Sequence, residues 1–166
     1  MLFRSDLLGP ETEVYGTDYN PRSIRWNTAN LPAIRFNLNK LEADLPYASD
    51  FFDAIYGISI LTHLSENMHT DWYYELYRVL KPGGLLLLTT QGDVFMEKLT
   101  PAERDRYLQG QLVVRGKVKE GHRTYSAFHP TAYMQQLFAN AEILAHIGPK
   151  PEKGKWLPQD IWIIRK

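Results

Sequence analysis

The sequence predicts an α/β fold, a doubly wound and mostly parallel sheet with an antiparallel edge at its C-terminal end. Three observations predict it. Strand-like apolar runs alternate with amphipathic helical stretches along most of the chain. Residues 54–60 and 85–88 are almost uniformly apolar and flank a helical stretch, the arrangement of a right-handed βαβ unit. Residues 143–147 and 161–164 are two further apolar runs, joined by a basic, proline-rich loop over 149–158, which suits an antiparallel pair.

Each element has a local reason. Residues 1–8 read as the end of a helix closed by Gly9-Pro10. A short strand over 13–17 (EVYGT) leads to Asp18 at its carboxyl end. Asn20 is placed to cap a helix with Pro21 at its first position, running to about residue 30 with Ile24, Trp26 and Leu31 turned inward. Residues 33–38 form the second strand, followed by a loop whose Pro46 and Asp50 favour turns. The strand over 54–60 is expected to be covered on both faces. Ser65 then caps a helix that buries Met68, Trp72, Leu76, Val79 and Leu80, and Lys81-Pro82-Gly83-Gly84 ends it before the next strand. Thr100-Pro101-Ala102-Glu103 is a capping box with proline at the first helical position, for a helix to about residue 109. Residues 111–124 are polar and glycine-broken, a hairpin or a mobile flap. Pro130 opens a last helix over TAYMQQLFANA, with Tyr133, Leu137 and Phe138 on one side.

Composition narrows the function classes. A chain of 166 residues is long enough for one domain with a real core. Its 19 basic and 19 acidic residues balance, so no polyanion footprint is present and no nucleic-acid partner is expected. The absence of cysteine excludes disulfides, thiolate catalysis and zinc-thiolate sites, and fits a cytoplasmic location. No apolar run has the length of a signal peptide or membrane span, so no membrane partner is expected. No histidine and carboxylate set has metal-ligand spacing, so no metal site is expected.

In open α/β sheets ligands bind beyond the carboxyl ends of the strands, where Asp18, Asn39, Ser59, Thr62, His63, Gln91 and Asp93 all fall. An acidic side chain ending a strand here accepts hydrogen bonds from both hydroxyls of a ribose, although Asp18 also reads as a plain capping or turn aspartate. Tyr19 suits either an adenine face or its own helix. His63, between a strand and a helix, is a candidate general base or a histidine satisfied by backbone. His129, before Pro130, is a helix-start residue or a lining residue of the substrate mouth. His122 lies in the polar stretch and reads as a solvated loop residue.

The segments EVYGTDYN, DLPYASDFFDAIYGISILTHL and YRVLKPGGLLLLTT, in that order, closely resemble successive motifs of class I S-adenosylmethionine-dependent methyltransferases, most of all the type-11-like small-molecule branch. AFHPTAY and QDIWIIRK look like a subgroup associated with bacterial glycan or surface-polysaccharide biosynthesis. The resemblance covers about residues 10 to 165. It implies a Rossmann-like fold and S-adenosylmethionine as cofactor, with Asp18 on the ribose and Tyr19 beside the adenine. Asn39 and Leu41 would meet the adenine edge, and Ile58 and Ser59 would line the cofactor cleft, with His63 just beyond. It also implies in-line methyl transfer to a small molecule, a task of alignment and water exclusion, with a base needed only where the acceptor must lose a proton. Residues 92–128 would form a variable substrate or lid insert within a single domain. His63 and His129 are the two candidate catalytic residues.

The family's first, central strand and glycine-rich turn are expected about twenty residues before the ribose aspartate. Here seventeen residues precede Asp18, and Gly9 stands alone. The expectation is therefore an N-terminally truncated domain, a sheet in which the family's second and fourth strands become neighbours, or a strand supplied by another copy in a homodimer through exposed strand edges. The alternative functions are a non-catalytic remnant serving as a binding or assembly module, and a nicotinamide-type dinucleotide protein.

Overall fold

The computed structural model describes residues 11–116, 121, 125–152 and 154–166. The helix end expected over 1–8, with Gly9-Pro10, lies outside them, as do His122 and most of the 117–124 loop. The chain divides into two compact units, Met1–Asp44 and Leu45–Lys166.

In the first unit, β1 (Val14–Asp18) and β2 (Ile34–Leu38) form a parallel pair in register from Val14 opposite Ile34 to Asp18 opposite Leu38, joined by α1 (Pro21–Asn30). The predicted start of α1 is borne out. Asn20 is extended, its side chain accepts hydrogen bonds from the backbone N–H of Arg22 at 2.9 Å and Ser23 at 3.5 Å, and Pro21 follows. The inward face is a correction: α1 has no buried residue, and Trp26 is 61% exposed. A two-stranded floor is too narrow to cover a helical face.

The second unit holds β3 (Phe52–Gly57), α2 (Glu66–Val79), β4 (Leu80–Thr90), α3 (Pro101–Leu108), β5 (Val113–Arg115), β6 (Ser126–Phe128), α4 (Thr131–Leu137), β7 (Glu142–Ile147) and β8 (Asp160–Arg165), with short 3-10 segments at Leu61–His63 and Asp93–Lys98. Its main sheet has the order β3-β4-β8-β7. β3 and β4 are parallel, while β8 runs antiparallel to both β4 and β7, so the predicted antiparallel edge is present. The strands thus fall in separate sheets, two of them mixed or parallel and the third the hairpin of β5 with β6. Of the 111–124 stretch, read as a hairpin or a mobile flap, the described residues show one strand, β5, whose partner β6 lies beyond it, and the rest of 117–124 save Gly121 lies outside them.

Three expectations are corrected here. β3 ends at Gly57 and is not covered on both faces, since none of its residues is fully buried. Tyr56, Ile58 and Ile60 are all exposed. The Lys81-Pro82-Gly83-Gly84 segment does not separate α2 from the next strand. β4 begins at Leu80, opposite Phe52, and the segment bulges within it before pairing resumes with Leu85 opposite Ala54. Gly83 takes φ +78° there and donates its N–H to Lys166 O at 2.9 Å, a conformation that favours glycine. The buried face of α2 is turned from the predicted one: Trp72 and Val79 are buried as expected, but with His69 and Tyr73, while Met68 and Leu76 are half-buried. Ser65 occupies the cap position without making a side-chain cap bond.

The core packs α2 and α4 on one sheet face. Trp162 of β8 meets Phe138 edge-on, Phe138 meets Tyr73, and Leu86, Leu88, Ile164 and Met134 are buried as well. The last helix stops at Leu137, short of residue 141, and Tyr73 and Tyr77 bind Asn140 through its side-chain and backbone oxygens at 2.6 and 3.1 Å. The capping box of α3 is formed as predicted. Residues 92–128 carry a small core of their own, built from Phe95, Tyr107, Val113 and Phe128. Among the described residues no helix is long and apolar enough to cross a membrane.

Candidate functional site

In the first unit the carboxyl end of β1 is organised around Asp18. One carboxylate oxygen accepts the backbone N–H of Asn20 at 2.8 Å, which sets the turn into α1. The other makes no hydrogen bond among the described residues. The structure brings Asn39 alongside: its N–H donates to Asp18 O at 3.1 Å, and its side-chain oxygen accepts from Thr17 Oγ1 at 2.8 Å. Asn39 Nδ2 donates to Lys40 O at 2.6 Å. Tyr19 is exposed and Leu41 half-buried. Asp18 therefore serves its turn with one oxygen and keeps the other as an acceptor, so both readings of this residue are compatible in one geometry.

In the second unit the carboxyl ends of β3 and β4 carry a closed polar network. Ser59 sits just past β3 at φ +61°, a left-handed conformation that costs a non-glycine residue about 1–3 kcal/mol unless its surroundings hold it. They do. Ser59 N–H donates to Thr89 Oγ1 at 2.8 Å, and Thr89 donates to Gln159 Oε1 at 2.5 Å. Gln159 Nε2 returns to Ser59 Oγ at 2.8 Å. Thr62 Oγ1 donates to Ser59 O at 2.8 Å, which leaves the Ser59 hydroxyl to donate to Thr62 Oγ1, also at 2.8 Å. Every member of this ring is neutral. Ile58, one residue earlier, is 54% exposed at the rim.

Each candidate histidine takes the structural one of its two readings. His63 ends the 3-10 segment, with Nδ1 against Tyr125 O at 2.8 Å and its own carbonyl accepting from Gly121 N–H at 2.9 Å, so it is satisfied by backbone. His129 is a correction: it is 1% exposed and shares a 2.9 Å bond between its Nε2 and that of His69, so it belongs to the core and not to a substrate mouth. Its backbone N–H pairs with Gln91 O, and Tyr107 donates to its carbonyl, which together draw it inside.

Thr89, Gln159 and Asp160 are the residues that sequence reasoning missed. Asp160 opens β8 opposite Thr90 and is buried. Its carboxylate fills the space beside Gly92 where a Cβ would stand. Gly92→Ala is therefore expected to destabilise the fold by about 1–3 kcal/mol, the usual cost of forcing an atom into a filled site, as read from urea midpoints.

Comparison with known proteins follows these lines. Residues 3–88 match the family model described as a methyltransferase domain. A tRNA (carboxymethyluridine(34)-5-O)-methyltransferase of Arabidopsis thaliana is 49% identical over 47 residues, 28% of this chain, which spans only 12% of that protein's length. A SAM-dependent methyltransferase of Methanosarcina mazei matches 93% of this chain and 82% of its own at 20% identity and TM-score 0.67. The 1,6-didemethyltoxoflavin-N1-methyltransferase of Burkholderia thailandensis, solved with bound 1,6-didemethyltoxoflavin and S-adenosylhomocysteine, matches 93% of this chain and 61% of its own at 14% identity and TM-score 0.63. At these identities the structural likeness establishes the fold, α/β and Rossmann-like, and the family match adds descent. The chain belongs to the methyltransferase-domain family, in its type-11 branch.

Proposed function

We propose that the chain transfers a methyl group from S-adenosylmethionine to a hydroxyl of a small, uncharged acceptor, in the manner of a sugar or glycan precursor. The observation that carries this reading is the neutral ring of Ser59, Thr62, Thr89 and Gln159 at the strand ends. Thr62 and Thr89 are buried supports, while half-buried Ser59 and Gln159 present a hydroxyl oxygen and an amide, with no lysine or arginine in the network, so the ring suits a polyol better than a phosphate.

Asp18 has the chemistry to hold the cofactor. Its second oxygen is an ionised acceptor at the end of a parallel strand, the kind of group that pairs with ribose hydroxyls. Tyr19, next in the chain, offers a ring face. When bound, the cofactor supplies an activated methyl on a sulfonium. The chain's own work is to orient: Gln159 and Thr89 fix the Ser59 backbone in its left-handed turn, so that the rim enters the encounter without reorganising.

A second reading is favoured by the Arabidopsis relative, whose name places its methyl on an oxygen of a tRNA uridine. In that reading the acceptor is an oxygen of a carboxymethyluridine within RNA. Zero net charge argues against it, because RNA binding draws on phosphate contacts. The test is a calorimetric titration of the 166-residue chain with S-adenosylhomocysteine, followed by transfer of labelled methyl to a panel of monosaccharides, nucleotide sugars and bulk tRNA. Micromolar binding with label on a sugar supports the proposal. Label on tRNA alone replaces it with the second reading, and no binding by the folded chain removes both.

A further inference from the structure

A second polar group stands on the same rim, unused by the reading above. His146, near the end of β7, directs Nε2 to Asp160 Oδ2 at 2.7 Å. Its imidazole lies flat on Trp162, with ring centroids 3.7 Å apart and planes 6° from parallel. Trp162 is itself fixed, by an indole N–H bond to Thr90 Oγ1 at 3.1 Å and by Phe138 at its edge. The imidazole thus has one face on a rigid ring and one nitrogen on a carboxylate. Nδ1 makes no hydrogen bond among the described residues, and the side chain is 26% exposed. A carboxylate in hydrogen-bond reach of Nε2 draws the proton there and leaves the lone pair on Nδ1.

Asp160 is an expensive residue at this place. It is 4% exposed, and burial pushes its carboxyl up from the ordinary range while His146 pulls it down and Asp93 pushes it up again. Its second oxygen has no hydrogen-bond partner among the described residues. A hairpin end needs no buried carboxylate, and an apolar residue would close it at lower cost. The position also points to the site. Asp160 faces Thr90, from which Gln91 and Gly92 leave β4 at its carboxyl end, and the preceding residue, Gln159, holds Ser59. The 92–128 segment begins at this point, with Asp93 accepting from Tyr107 at 2.9 Å.

We propose that His146 and Asp160 form a proton-accepting dyad for the acceptor hydroxyl, with His146 Nδ1 as the base and Asp160 as its positioning residue. This rests on the reading of the chain as a methyltransferase acting on a hydroxyl. His146 Nδ1 takes the proton as the O–H bond breaks. The freed electron pair on oxygen forms the new bond to the methyl carbon, and the pair of the broken sulfur–carbon bond stays on sulfur. The resulting imidazolium is held against the Asp160 carboxylate and returns its proton to solvent.

The test uses the full chain and diethylpyrocarbonate, which acylates a histidine nitrogen bearing a lone pair, with modified histidines mapped by mass spectrometry. The expected result is fast modification of His146, with buried His69 and His129 lagging, and nitrogen-15 shifts showing Nε2 protonated and Nδ1 bare. Asp160→Asn is expected to slow modification of His146 by about tenfold or more, the loss of one charge-assisted hydrogen bond. His146→Gln, at a partly exposed position, is expected to keep S-adenosylhomocysteine affinity and KM while lowering kcat about 10²–10⁴-fold on any sugar the panel identifies. A merely structural pair would shift the melting temperature and leave kcat alone. Slow modification of His146, a proton on Nδ1, or wild-type turnover by His146→Gln each overturns the dyad. If no panel member is methylated, the hydroxyl reading fails, and the dyad stands or falls on the modification rates and the tautomer, which need no acceptor. If Asp160→Asn does not fold, the wild-type tautomer and His146→Gln still decide.

Discussion

Asp18→Asn is expected to abolish most S-adenosylhomocysteine binding while leaving the fold in place. The asparagine oxygen still accepts the Asn20 N–H now held at 2.8 Å, so the turn into α1 survives. What changes is the other position, where an acceptor oxygen becomes an NH2 donor and the negative charge is lost. A ribose presents hydroxyls that need an acceptor there. Hydrogen bonds to a charged group are worth about 1.5–3 kcal/mol each, so losing one or two lowers affinity by about tenfold to ten-thousandfold. Asp18→Ala loses the turn as well and is expected to lower the melting temperature in addition. Calorimetry with both variants separates the two roles: an Asp18→Asn chain that binds like wild type leaves Asp18 as a turn residue alone.

The turn made by this carboxylate shows what local sequence conveys. Asn20-Pro21 and Thr100-Pro101-Ala102-Glu103 were legible because a helix start is decided by residues three or four apart, and both form as the spacing requires. The antiparallel pair of residues 143–147 and 161–164 was legible because two apolar runs and one proline-rich loop leave few other arrangements. The rim was legible only in part. Ile58 and Ser59 follow from the end of β3, as Asp18 of the first unit follows from the end of β1, but the partner that locks Ser59 is one hundred residues away, and Gln159 has nothing in its neighbourhood to mark it. It reaches Ser59 only because β8 inserts between β4 and β7, a register that no short-range pattern encodes. His146 and Asp160 were hidden for the same reason. The face of α2 was misjudged because aliphatic spacing favoured Met68 and Leu76, whereas His69 is buried by a polar bond to a residue sixty positions on.

That buried pair makes acid pH a strong destabiliser. His69 Nδ1 lies 2.7 Å from Ser65 O, a carbonyl that can only accept, so Nδ1 carries the proton and Nε2 is bare. His129 Nε2 must then donate across the 2.9 Å gap, which leaves His129 Nδ1 without a proton and, among the described residues, without a partner. His129 is held neutral by its burial. Burial first, and the neighbouring His69 second, hold His129 well below the ordinary histidine value of 6.5, against a weaker opposite pull from the carbonyls of Gln91 and Leu61. Tyr133 meets His69 edge-on and Glu66 lies near Tyr133, but neither outweighs the burial. The sign follows from proton counting. Below 6.5 the unfolded chain binds a proton at His129 that the native chain refuses, so stability is complete above that value and falls as pH drops toward the depressed native one.

The slope is about 1.4 kcal/mol per pH unit for one group, or about 2 kcal/mol between pH 6.5 and 5. In a chain of this size that lowers the melting temperature by about 4–8 °C. The window lies above the range where Glu75 and Glu103, both held low by Arg78 and Arg115, give up their own stabilisation. Asp160, lifted by burial, works in the opposite sense and gains as pH falls, so it can only mask part of the effect. Urea midpoints measured from pH 7.5 to 5 check the slope, and the double variant His69→Leu with His129→Phe supplies the control. The variant removes both the donor and the acceptor, so it leaves no ring nitrogen of the pair unsatisfied and is expected to flatten the profile. A flat wild-type profile, or the same slope in the double variant, would place the acid sensitivity elsewhere in the chain.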